Sequence, residues 1–113
     1  MPLRSQLFAG DRALEACLTR DDAHLTSGTQ GEHVRLVQRA LVWFGDKSIT
    51  ASEYINGVYG PTTATSVLAY KRARRIINFS YQSQEDNIVG KMTIKAMDDE
   101  LLRTQDIPRH AQQ

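Results

Sequence analysis

Two short stretches of this chain echo one another, and each opens a helix-forming run. The first is Asn56-Gly57-Val58-Tyr59-Gly60-Pro61-Thr62-Thr63, with Val67 four residues on. The second is Asp86-Asn87-Ile88-Val89-Gly90-Lys91-Met92-Thr93, with Met97 four residues on. In both, a polar turn pair precedes two apolar residues, a glycine, two variable positions and a threonine. The turn pair reverses the chain. The apolar pair is too short for a strand, enough for a bridge, and suited to plugging a core. The glycine permits close backbone approach or positive φ. The threonine falls in the first helical turn, where its hydroxyl meets backbone groups without intrahelical partners. Two such junctions in register predict a small pseudo-symmetric fold in which each loop launches a helix.

The runs around these junctions have helical spacing. Val34, Val37, Leu41 and Phe44 lie on one stripe, widened by Leu36, Ala40 and Trp43, and Gly45 closes the run. Trp43 is expected in the core rather than as a sugar platform. Residues 46–61 read as a loop. Pro61 or Thr62 opens the next helix, with Ala64, Val67, Leu68 and Tyr70 on its apolar face. Lys71, Arg72, Arg74 and Arg75 oppose the negative end of its dipole, as a solvated basic end or as a contact for an anion. Residues 77–90 form a second loop. A last helix begins near Lys91 or Met92 and buries Ile94, Met97 and Leu101, while Asp98, Asp99 and Glu100 read as solvated. Ahead of all this, Asp11 caps a short helix whose Leu14, Cys17 and Leu18 pack on the main body, with Cys17 a buried, inert thiol. The fold class is all-α: a compact three-helix bundle with long loops and an extra N-terminal helix. Residues 1–24 form the extension, 25–102 the domain, and 103–113 a tail with little to bury.

The chain carries 14 Lys+Arg against 13 Asp+Glu over 113 residues, a net charge of +1. That near-neutral balance removes the electrostatic case for nucleic acid. No apolar run reaches membrane-spanning length. The opening residues lack the apolar core of a secretory signal, so action outside the cytoplasm implies carriage by a machine, with cytoplasmic residence the alternative. One cysteine offers neither an internal disulfide nor metal-ligand spacing. His24, His33 and His110 lie far apart, and no G-x-S-x-G, phosphate loop or obvious carboxylate pair is present. No catalysis, no metal and no cofactor are expected.

The ordered motifs resemble the peptidoglycan-binding-like domain, a three-helix bacterial cell-wall module often appended to hydrolases. The matching residues are Leu25, Gly28, Gly31, Val34, Gln38, Leu41 and Gly45; then Asn56, Gly57, Tyr59, Gly60, Pro61, Thr63, Val67 and Tyr70; then Asp86, Val89, Gly90 and Thr93. They span about residues 25–102. Two departures stand out: Lys71 replaces the family's usual glutamine, and the loop from Ile76 to Glu85 is long. The resemblance implies noncatalytic binding of peptidoglycan, as muropeptide or glycan strand, that targets or anchors a larger system at the cell wall, periplasmic or extracellular. The alternative is a protein–protein docking subunit of a phage-like or secretion machine, with the N-terminal helix and the 76–85 loop as its interface.

Ligand contact is expected near the first junction. Asn56, Thr62 and Thr63 would bond muropeptide amides. Tyr54 and Tyr59 would flank the stem peptide, and Tyr81 is a further aromatic candidate in the second loop. Arg74 or Arg75 would pair with a stem-peptide carboxylate. Tyr59 and Tyr70 also stand at positions that serve the core.

Overall fold

Asp11 opens the first helix: its carboxylate accepts the Leu14 N–H at 3.0 Å, and α1 runs Arg12–Thr19. A 3₁₀ turn follows at Asp21–Ala23, then α2 (Glu32–Trp43), α3 (Ala51–Asn56), α4 (Pro61–Arg74) and α5 (Lys91–Arg103). This computed structural model describes residues 2–77 and 86–104, with the Asp21 side chain left aside. The described chain is helical and compact, and within it there is no strand, only two isolated bridges, Leu25 with Val89 and Gln30 with Val58. No helix among the described residues is long and apolar enough to cross a membrane.

The two echoing junctions adopt closely similar backbones. Gly60 (φ −102°, ψ −167°) and Gly90 (φ −111°, ψ −160°) are the residues before α4 and α5. Thr63 and Thr93, Val67 and Met97, and Tyr59 and Val89 are buried in pairs. One segment holds both junctions. Leu25 and Val89 exchange two backbone hydrogen bonds of 2.9 Å, Gly28 N–H donates to Tyr59 O, and Tyr59 N–H donates to Thr29 O. Gly31 N–H reaches Gly57 O at 2.9 Å. Gly57 is left-handed (φ 62°), and a Cβ there would stand 2.7 Å from Gly31 O, so glycine alone fits.

Helix ends follow local chemistry. At the end of α2, Gly45 (φ 110°) allows Asp46 N–H to reach Leu41 O and its own N–H to reach Val42 O. This double bond pattern closes the helix where the glycine predicts. The end of α4 is built the same way on Arg75, the one non-glycine residue with positive φ among those described.

A single core joins α1, α2, α4 and α5, while α3 buries no residue in it. Leu3, Leu7, Phe8, Leu14 and Cys17 from the first residues share it with Val34, Val37, Leu41, Val67, Ile94, Met97 and Leu101. α1 packs on α5, and α2 packs on α3 and α4.

Four expectations are corrected. Residues 51–56 are helical, not loop: Thr50 Oγ1 accepts the Glu53 N–H, and Gly57 closes the turn. Asp98 is buried, not solvated, because its carboxylate accepts the N–H groups of Arg4 (3.0 Å) and Ser5 (2.8 Å). Lys71 is buried too. Its ammonium meets Asp86 Oδ1 at 2.5 Å and Ile88 O at 2.7 Å, so it pins the second turn rather than extending a solvated basic end. Trp43 is 41% exposed, with its indole N–H directed to Thr104 Oγ1 (3.3 Å), because it lies at the edge of the apolar stripe and at the end of the helix.

Candidate functional site

The bridges gather the starts of α2, α4 and α5 at one end of the molecule. Three contacts gather their other ends: Trp43 with Thr104, Phe44 with Tyr70, and Arg74 with Glu100. The expected site residues divide between these ends. From Thr63 to Arg74 is eleven residues of one helix, about 17 Å at the α-helical rise.

The junction end is filled by the chain itself. Glu53, on α3, accepts the N–H groups of Thr62 (3.0 Å) and Thr63 (2.8 Å) and the Thr63 hydroxyl (2.7 Å). A carboxylate therefore occupies the positive start of α4, the place that would otherwise attract an anion. Burial alone would raise the Glu53 pKa, but these donors outweigh it and hold the carboxyl down to about 2. Gln38, fully buried on α2, donates to Val58 O (3.0 Å) and to Thr63 Oγ1 (2.9 Å). Tyr59 is buried and its hydroxyl donates to Asn87 O. Tyr59 and Thr63 thus have almost no surface to offer a ligand. Thr62 is half-buried, its Oγ1 accepting the Thr50 N–H. Tyr54 is half-buried on α3, and Asn56 is exposed with its amide on Ser52 O. Tyr81 lies outside the described residues.

The opposite end is more open. Phe44 stacks on Tyr70 with ring centroids 5.5 Å apart and planes 23° apart. The Arg74 guanidinium lies 3.9 Å from the Tyr70 centroid and 5.5 Å from that of Phe44. Its Nε and Nη2 each reach the Glu100 carboxylate at 2.6 Å. This two-pronged pair lowers the Glu100 pKa, chiefly through the hydrogen bonds, and raises that of Arg74. The Tyr70 hydroxyl also donates to Glu100 (3.2 Å), and burial, then the Glu100 charge, pushes the phenol up. Arg74, expected to hold a ligand carboxylate, therefore already holds one belonging to the protein. Arg75 is exposed just beyond it.

Two hollows flank Arg74. A cavity of about 170 Å³ lies between the end of α2 and α4, with Ser66 and Asp46 in its wall. A groove of about 700 Å³ lies between α4 and α5, past Ile76, Ala96 and Arg103. The larger volume is in the range of small-ligand clefts. Among the described residues, no three His, Cys, Asp or Glu side chains gather as metal ligands.

No family model, curated protein or solved structure matches this chain.

Ser66, Asp46 and Glu100 were not singled out as site residues by the sequence. Asp46 and Ser66 carry no local motif. Glu100 sits in an acidic run whose members go to different places: Asp98 inward, Asp99 to Lys95, and Glu100 to Arg74.

Proposed function

We propose that this chain is a noncatalytic module that binds bacterial peptidoglycan, as muropeptide or glycan strand, and so targets or anchors a larger system at the cell wall. The observation that carries the reading is the ordered motif set resembling peptidoglycan-binding-like domains. Its members take up interlocking roles in the fold: Gly57, Tyr59 and Val89 bond to the 25–31 segment, and Gln38 ties α2 to Thr63. The finer architecture proposed with it is a three-helix bundle of that type, α2, α4 and α5, with α1 added on α5.

The contact surface in this reading is the end where Phe44, Tyr70 and Arg74 meet. It offers the half-buried Phe44 ring, charged groups and two hollows, a mixture suited to a ligand with both apolar and polar groups. The junction end contributes Tyr54 and Asn56 at most. The test is co-sedimentation of the folded chain with purified sacculi at low salt. Pelleting that soluble muropeptides compete away supports the reading, and a chain that stays wholly in the supernatant refutes it.

A second reading is a docking subunit of a larger phage-like or secretion assembly. It is favoured by apolar side chains that stay on the surface: Val42 (51% exposed), Trp43, Ile55 (65%) and Met92 (49%). Capture of the chain by a purified partner, unaffected by muropeptides, would favour it over wall binding.

A further inference from the structure

The cavity between the end of α2 and α4 combines three features. The first is an orphaned hydroxyl. Ser66 lines the cavity, is 2% exposed, and its Oγ has no hydrogen-bond partner. A buried polar group without a partner is costly, and a donor reaching it from the cavity would relieve that cost.

The second is a charge without a counter-ion. Asp46 lines the same cavity. Its carboxylate accepts the Ser48 N–H (3.0 Å) and hydroxyl and the Ile49 N–H (3.3 Å), but meets no cation among the described residues. Arg74, the cation in the wall, is neutralised by Glu100 through two 2.6 Å bonds. The balance of Asp46, Glu100 and Arg74 is one negative charge. The carbonyl end of the α2 dipole adds to it.

The third is an apolar lining. Leu41 and Tyr70 are buried beneath the cavity, and the Phe44 ring stands beside it. Its volume of about 170 Å³ is of the order that admits one benzene-sized guest. An anion would face the uncompensated Asp46, and an uncharged polymer would leave that charge unused. A cation on a short aliphatic stem satisfies all three features. Its N–H groups go to Ser66 Oγ and Asp46, its methylenes to Leu41, and its charge to the aromatic ring.

We propose that this cavity is a receptor for a primary ammonium group on a short aliphatic stem, the side-chain end of a diamino acid. Assigning that group to the diamino-acid residue of a stem peptide rests on the peptidoglycan reading. The ammonium site itself does not.

The test is a titration of the ¹⁵N-labelled full chain with Nα-acetyl-lysine methylamide, whose side-chain amine is free. The control probe is the same compound acetylated on that amine. The free amine is expected to shift the amide signals of Phe44, Ser66 and Ala69 saturably, while the acetylated probe leaves them in place. Asp46→Asn and Ser66→Ala are each expected to weaken binding about tenfold, the effect of losing a charge-assisted hydrogen bond. Thermal melts of both variants show that they remain folded, and Asp46→Asn keeps the shape of the turn if Ser66→Ala repacks the helix. Equal shifts from both probes, or none from either, overturn the proposal. Co-sedimentation with sacculi separates the two claims. A chain that pellets with sacculi but ignores the amine loses the cavity assignment alone. A chain that binds the amine but never pellets keeps the ammonium site and loses the wall.

Discussion

The Glu53 carboxylate of α3 accepts both the backbone N–H and the hydroxyl of Thr63 at the start of α4, at 2.8 and 2.7 Å. One side chain thereby caps a helix ten residues away and closes the junction end. α4 follows Gly60, which has no side chain to cap it. Gly60 is part of the same arrangement, because a Cβ there would stand 2.7 Å from the Glu53 carboxyl carbon.

Replacing Glu53 with Gln should destabilise the fold by about 1–2 kcal/mol, since a neutral amide accepts less strongly and donates where donors already crowd. Urea unfolding at pH 7 measures it. The pH dependence has a definite sign. The folded pKa is about 2 against an ordinary 4.5, so the contribution is present above about pH 4.5 and disappears as pH falls toward 2. The wild-type and Glu53→Gln stabilities should therefore converge in acid.

Lys71 should prove structural. Substitution by Met leaves Ile88 O and Asp86 without their ammonium and is expected to cost about 2 kcal/mol. That is below the usual loss for a fully buried pair, because Asp86 is part-exposed. Substitution by Gln, which can still donate to Ile88 O, should cost about half as much. Denaturant midpoints of the two variants decide the order.

Asp98 anchors the first residues to α5 through Arg4 and Ser5. Asp98→Ala strands two N–H groups, one of them buried, and should cost about 2 kcal/mol. Amide exchange provides the local readout. Ser5, Phe8 and Ala9 should lose protection while α2 and α4 keep theirs.

Cys17 should be inert in the folded chain. It is fully buried, its thiol meets Val89 O at 3.4 Å, and burial pushes its pKa to about 11. Reaction with a thiol reagent at pH 8 should be negligible until denaturant is added. Rapid native labelling would show that α1 opens readily from α5.

Much of the scaffold was legible because it is written locally. The Asp11 cap, the Gly45 stop and the stripe from Val34 to Leu41 each lie within one helix or at its edge. α3 escaped because it is six residues long with no buried face, although Thr50 and Glu53 carry the capping-box spacing that announces a helix start. The fates of Lys71, Asp98 and Arg74 were not legible. Their partners are Asp86, Ser5 and Glu100, which are 15, 93 and 26 residues away, and no local pattern encodes such pairs. The expected binding residues split for a related reason. Tyr59 and Thr63 carry motif positions that serve packing, whereas the open end is assembled from the last turns of three separate helices.

The most direct test of the account is to map where soluble muropeptides, released from digested sacculi, perturb the amide spectrum of the ¹⁵N-labelled chain. The account predicts saturable shifts concentrated at Phe44, Ala69, Tyr70, Arg74 and Glu100, with Thr62 and Thr63 unmoved. Shifts centred on Tyr54, Asn56 and Thr62, or no saturable shift anywhere, would contradict it.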